Sequence, residues 1–247
     1  MSVAAVRRWS AKHRRRSRNV GGSIQEISLS QRLKTLWLLK AIGTTSVITV
    51  FFLLYLYLLK NPIFPITEMP LTALDRMIGF QPSALVFYVS LWVYVGLPPA
   101  LIETRRQLVN YGWAVGTLCL VGLAIFLVWP TAVPPPNIDW DRYPGFGFLK
   151  GIDDAGNAFP SLHVATAIYS AIWLERLLRD MGRGAVIRIL SWAWCIGIVY
   201  SALATKQHVA VDALAGAVLG MTGAALSLQP CVGIVSGTLD YRPSRST

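Results

Sequence analysis

The chain has 247 residues, of which 54% are hydrophobic and only 14% are charged. Ordinary soluble domains carry about 25% charged residues, and a chain this short has too much surface to bury so much apolar material. The composition therefore excludes disordered, collagen-like and coiled-coil chains and indicates an integral membrane protein. The net charge is +11, and nine of the 23 Lys and Arg residues lie within the first 34 positions.

Six apolar runs approach or exceed the roughly 20 residues that cross the hydrocarbon core of a bilayer. They occupy residues 41–59, 82–102, 111–129, 160–174, 189–204 and 209–228, and the fourth continues with Leu177 and Leu178 beyond Glu175. The sequence thus predicts an all-α fold, an integral membrane bundle of six transmembrane helices. In the sixth run Gly216 and Gly220 form a GxxxG pattern, which lets helices of a bundle approach closely.

The predicted organisation has three parts. A basic N-terminal tail (1–34) precedes the six-helix domain (35–228), and a short tail (229–247) follows it. The first loop between helices (61–81) carries apolar residues at near-helical spacing, which predicts a short helix on the membrane surface.

The distribution of Lys and Arg predicts the orientation. With a cytoplasmic N-terminus, the cytoplasmic segments hold 17 of these residues and the outer segments hold five, as the positive-inside rule requires. We expect a multi-pass protein of the cell membrane with both termini in the cytoplasm. The basic tail is expected to lie on anionic lipid, and no nucleic-acid partner is expected.

Two histidines stand at the predicted outer face, each at the start of a helix. His208 precedes Asp212 by four residues, so the two share a helix face, and the carboxylate would leave one imidazole nitrogen available as a nucleophile or base. His163 follows Ser161 at a helix start, a position that attracts phosphate. With Lys206, these residues predict an anion pocket suited to phosphoryl transfer.

The segments that carry these residues resemble two motifs of a known family. Residues 159–165 (FPSLHVA) and 205–212 (TKQHVAVD) look like the second and third motifs of the type 2 phosphatidic acid phosphatase (PAP2) superfamily. They are most similar to its Pro-Ser-Leu-His branch, which includes inositol phosphorylceramide synthase-like proteins. The resemblance covers about residues 35–228.

This resemblance implies a role for each motif residue. His208 would be the nucleophile, Asp212 would orient it, His163 would protonate the leaving group, and Ser161 would bind phosphate. The family works without a metal, and no cofactor is expected.

The chain departs from the family pattern at several positions. Leu162 replaces the usual glycine of the second motif, and Ala202 stands where the third motif has arginine. The basic first motif is missing. Lys206 and Arg142 are therefore the candidates for supplying positive charge to the phosphate.

The expected function is that of a membrane-embedded phosphatase. It would hydrolyse a lipid or lipid-linked phosphate ester at the extracytoplasmic face through a phosphohistidine intermediate. One alternative is a phosphotransferase that passes a phosphoryl-linked head group to a lipid or sugar hydroxyl, as in inositol phosphorylceramide synthase-like proteins.

Two further alternatives involve other chemistry or none. A metal-dependent reaction would use the acidic side chains of the long outer loop, which are Asp139, Asp141, Asp153 and Asp154. A non-enzymatic transporter or assembly protein is the alternative of another class. The unbroken appearance of the apolar runs, and polar residues gathered at the outer rim, argue against a transporter.

Overall fold

A computed structural model describes residues 29–146 and 156–229, and nearly all of its regular structure is helical. The helices and strands, in chain order, are α1 (Leu29–Lys34), α2 (Trp37–Lys60), β1 (Thr67–Glu68), α3 (Ala73–Met77), α4 (Leu85–Tyr94), α5 (Leu97–Leu101), α6 (Arg105–Val128), β2 (Thr131–Ala132), α7 (Leu162–Asp180), α8 (Ala185–Ala204) and α9 (Ala210–Leu228). Most of the basic N-terminal tail, the C-terminal tail from residue 230, and Asp153 and Asp154 lie outside the described residues.

The fold is an all-α membrane bundle, as the sequence predicts. Within the described residues, five helical segments are long and apolar enough to cross a membrane. Four of them are the helices α2, α6, α8 and α9. The fifth is the segment Pro82–Leu101, which contains both α4 and α5. Many large apolar side chains on these segments are exposed, which is the surface that a bilayer covers. The chain is therefore a multi-pass membrane protein, although the predicted count of six spans is not matched by this criterion.

The predicted fourth span, α7, is not apolar enough to be counted among the membrane-crossing helices. It has 19 residues, of which eleven are buried, and it packs against α4, α5, α6, α8 and α9. Its end carries Glu175, Arg176, Arg179 and Asp180, which form ion pairs. Because neighbouring helices cover α7, it does not need the apolar surface that lipid contact demands of the others.

The predicted second span is one apolar segment, Pro82–Leu101, that contains a turn at residues 95–96. Helix α4 ends at Tyr94 and α5 begins at Leu97. Pro98 and Pro99 have no backbone N–H to donate to the preceding turn, and prolines end or kink helices for this reason. The Tyr111 hydroxyl donates to the freed carbonyl of Val95 at 3.4 Å.

Glycines allow α7 and α9 to approach closely. A Cβ atom at Gly216 would collide with the Ser161 carbonyl oxygen, and one at Gly220 would collide with the Ala165 carbonyl oxygen. The GxxxG pattern therefore packs α9 directly against the backbone at the start of α7. This contact fixes the relative position of the two helix starts.

The segments that follow α2 and α6 are also joined. Strands β1 and β2 pair in parallel, with Thr67 opposite Thr131 and Glu68 opposite Ala132. The Thr131 hydroxyl oxygen accepts a hydrogen bond from the Phe159 N–H at 2.8 Å. The chain that enters α7 is thus anchored to the loops at the same end of the bundle.

The first loop contains a short helix, as predicted, which is α3. Its first turn is a capping box, in which Thr72 accepts from the Asp75 N–H while the Asp75 carboxylate accepts from the Thr72 N–H. Leu74 and Met77 are exposed, as expected for a helix at a membrane surface.

Candidate active site

The two histidines singled out in the sequence lie side by side. His163 is in the first turn of α7, and His208 is two residues before α9. Their ring centroids are 6.3 Å apart, and the ring planes are inclined by 47°. We call this end of the bundle the histidine end. The structure thus brings together residues that are 45 positions apart in the sequence, because α7 and α9 begin at the same end.

His208 is held by a buried carboxylate. Its Nδ1 lies 3.2 Å from Oδ2 of Asp212, whose side chain is 0% exposed. A carboxylate at this distance favours the tautomer with the proton on Nδ1, which leaves the lone pair on Nε2. The arrangement can therefore present Nε2 as a nucleophile or a base.

The segment before α9 fixes the backbone of His208. Helix α8 ends at Ala204, and Lys206 follows in the left-handed region with φ 60°. The His208 N–H then donates to the Ala202 carbonyl at 3.0 Å. This tight turn is what places His208 one helical turn ahead of Asp212.

Ser161 links the two helix starts. Its hydroxyl oxygen caps α7 by accepting from the Val164 N–H at 3.2 Å, and its own N–H donates to the Asp212 carbonyl at 3.0 Å. The side chain is fully buried. A serine hydroxyl that accepts one hydrogen bond can still donate its proton to an anion.

His163 packs against an aromatic ring that the sequence analysis missed. Tyr88 of α4 stacks on it with ring centroids 4.0 Å apart and an interplanar angle of 12°. Among the described residues, the buried Nε2 of His163 has no hydrogen-bond partner. Tyr88 gave no signal in the sequence because it is one of many aromatic residues in an apolar run.

Asp75 is a second residue that sequence analysis missed. Its Oδ1 accepts from the Ala210 N–H at 2.8 Å, at the start of α9, while Oδ2 accepts from the Thr72 N–H and hydroxyl. The carboxylate therefore ties the loop before α4 to the helix that carries Asp212. The capping-box pattern of Thr72 and Asp75 could have indicated that this side chain is structural.

The two predicted cationic residues occupy different environments. The Lys206 ammonium donates to the carbonyls of Asp75 and Ile78, at 3.0 and 2.5 Å. Arg142 lies in the loop after β2, where its largely exposed side chain pairs with Asp139 at 2.9 Å. Lys206 is thus bound to the loop between α2 and α4, whose Asp75 also accepts from the first residue of α9. Phosphate binding by Lys206 or by Arg142 stays a prediction.

A cavity of about 810 Å³ extends from the histidines into the bundle. It lies between α2 on one side and α4, α6 and α7 on the other, and Tyr88, His163 and His208 line its histidine end. A ligand pocket typically combines an apolar wall with a few polar groups that fix orientation. This cavity has that composition.

Comparison with protein families finds one match in the region that builds the site. The model of the PAP2 superfamily matches residues 107–230, half of the chain, which covers α6 to α9 and both histidines. The comparisons with curated proteins and with solved structures found no match. The chain belongs to the PAP2 superfamily.

Proposed function

We propose that this protein hydrolyses a phosphate ester of a lipid or lipid-linked substrate through a phosphohistidine on His208. Membership of the PAP2 superfamily supports phosphatase or phosphotransferase chemistry. The observation that carries the proposal is the pair formed by His163 and the Asp212-held His208 at the end of an apolar cavity.

The first step is attack on the phosphorus atom. Nε2 of His208 forms a bond to phosphorus while the bond from phosphorus to the ester oxygen breaks, and protonated His163 gives its proton to the departing alkoxide. Reacting atoms in a productive geometry are about 3–3.5 Å apart. Rings with centroids 6.3 Å apart therefore suit groups that flank one phosphorus centre.

The second step restores the enzyme. Neutral His163 takes a proton from water, the water oxygen bonds to phosphorus, and the bond from phosphorus to Nε2 of His208 breaks to release phosphate. The Asp212 carboxylate stabilises the charge that forms on the His208 ring. The Ser161 hydroxyl and the first N–H groups of α7 are proposed to bind the phosphoryl oxygens, because a helix start favours anions. Lys206 and Arg142 are proposed to add positive charge.

The proposed setting follows the charge distribution of the sequence. The histidine end would face the extracytoplasmic side of the cell membrane, with both termini in the cytoplasm and the basic tail on anionic lipid. The resemblance of the second motif to inositol phosphorylceramide synthase-like proteins suggests an alternative to water as the acceptor of the phosphoryl group. A lipid or sugar hydroxyl in place of water would make the same site a transferase.

The experiment is an assay of the purified protein with a panel of phosphorylated lipids, in which free phosphate and new lipid products are both measured. We expect phosphate release that persists in EDTA and is lost in His208→Ala, while His13→Ala in the N-terminal tail retains it. New phosphorylated lipid without free phosphate would assign transfer. Loss of activity in EDTA would contradict the metal-free chemistry, and equal activity of His208→Ala would contradict the site.

A further inference from the structure

The cavity behind the histidines runs along most of the bundle. On α6 its wall extends from Leu108 to Phe126, and on α2 it extends from Leu39 to Leu56. At 1.5 Å per residue, the stretch on α6 is about 27 Å long. The hydrocarbon core of a bilayer is about 30 Å thick, so one leaflet supplies about 15 Å. The cavity is thus a groove that is clearly longer than one leaflet.

The groove has polar groups at its two ends. At the histidine end it is lined by His163, His208 and Asn157, and at the opposite end by Lys40. Between the ends the wall is mostly aliphatic and aromatic, with Thr44, Thr166 and Cys119 and three glycines among these side chains. This wall suits a hydrocarbon chain along its whole length.

Lys40 closes the far end of the groove. Its side chain is buried, and its ammonium donates to the carbonyls of Arg32 and Ala100 at 2.8 and 2.7 Å. Arg32 in turn pairs with Glu103 at 2.7 Å. A hydrocarbon chain gains nothing from a charged group bound in this way, so the apolar groove ends here.

Three glycines keep the groove open. Gly43 on α2, and Gly112 and Gly116 on α6, line it, and a Cβ atom at any of them would meet nothing within 4 Å. By contrast, Gly216 and Gly220 of α9 are required by close backbone contacts. The groove glycines are therefore not explained by helix packing, and they leave space along the path from the histidines to Lys40.

We propose that the groove holds a hydrocarbon chain of the phosphorylated lipid, and that it favours a chain longer than one leaflet. This inference rests on the proposed function. The phosphoryl group at the histidines fixes one end of the substrate, and the chain follows the groove toward Lys40. A longer chain fills more of the groove and gains contacts along its wall.

The test is to block the groove at two depths. Gly116 lies ten residues from Phe126 along α6, about 15 Å, and Gly112 lies fourteen residues from it, about 21 Å. We expect Gly116→Phe to lower kcat/KM about tenfold for phosphorylated lipids with chains longer than about 15 Å and to leave shorter chains within about twofold. Gly112→Phe should move this limit to about 21 Å.

The controls separate the groove from the fold. Leu120→Phe adds a ring on an exposed face of α6, outside the groove, and it should keep the wild-type profile of activity against chain length. Thermal unfolding in detergent identifies any variant that does not fold. If Gly116→Phe fails in this way, Gly43→Phe blocks the groove from α2.

The outcomes distinguish the two proposals. A chain-length limit that shifts between the two blocks supports the groove as the chain site. A folded Gly116→Phe variant whose activity falls equally for all chains, or for none, overturns this inference while the phosphatase stands. A wild-type protein that turns over no phosphorylated lipid of any chain length overturns both proposals.

Discussion

The contact between His208 and Asp212 gives the most specific expectation at the scale of single residues. In Asp212→Asn the amide would donate a proton toward Nδ1 of His208 and favour the tautomer with the proton on Nε2. Because that tautomer cannot attack phosphorus, we expect kcat to fall by about 10²-fold or more while KM changes little. Steady-state kinetics with the best phosphorylated lipid of the panel measure both parameters.

The control for this variant is Asp180→Asn, which makes the same change at a half-exposed carboxylate at the end of α7 that is away from the histidines. It should retain wild-type kcat. An Asp212→Asn enzyme within about threefold of the wild type would show that the carboxylate does not set the tautomer of His208.

Much of the candidate site was predictable at this scale because its members stand at helix starts. His208 and Asp212 are neighbours by helix geometry, as are Ser161 and His163, and the predicted topology puts the two helix starts at one face of the membrane. Tyr88 was not predictable, because stacking across helices depends on packing that leaves no periodic trace in one sequence. The binding of the Lys206 ammonium to the carbonyls of Asp75 and Ile78 was not predictable either, because it depends on how the loop folds.

At the scale of elements, the loop helix α3 supports the start of α9 through Asp75. Asp75→Ala removes the acceptor of the Ala210 N–H and of the Thr72 groups, so partly buried donors lose their partner at a typical cost of about 1 kcal/mol. We expect a lower melting temperature in detergent and a lower kcat, with Asp75→Asn losing less because its carbonyl oxygen still accepts. Unchanged kcat in a destabilised Asp75→Ala variant would show that the loop does not position His208.

The crossing of α7 and α9 depends on glycine at the contact. In Gly216→Ala the added methyl group would collide with the Ser161 carbonyl, and we expect the free energy of unfolding to fall by about 1–3 kcal/mol. Gly43→Ala is the matched control, since its Cβ meets nothing within 4 Å. Denaturation in mild detergent compares the two, and equal stability would mean that the helices are not in close contact at Gly216.

The helices themselves were largely predictable from apolar runs, and the exceptions have physical causes. The run at 82–102 predicted one helix, but Pro98 and Pro99 divide it. Helix α7 is less apolar because it is covered by other helices rather than lipid. A high mean hydropathy is required of helices whose surface contacts lipid. It therefore identifies the peripheral helices of the bundle better than a central helix that other helices cover.

At the scale of the whole molecule, the excess of Lys and Arg on one set of segments predicts that the histidine end faces outward. In a variant without Cys119, Cys195 and Cys231, Asn61→Cys, in the exposed segment after α2, should react with a membrane-impermeant maleimide in intact cells. Arg183→Cys, in the exposed segment between α7 and α8, should react only after lysis. The reverse pattern would place the site on the cytoplasmic side.

In the proposed mechanism, His208 carries the phosphoryl group during turnover. The most direct measurement is rapid quenching with a substrate labelled in its phosphate, followed by mapping of the modified residue by mass spectrometry. We expect an acid-labile phosphohistidine at His208 that forms at least as fast as turnover and is absent in His208→Ala. Label on another residue, or turnover that continues in His208→Ala, would contradict it.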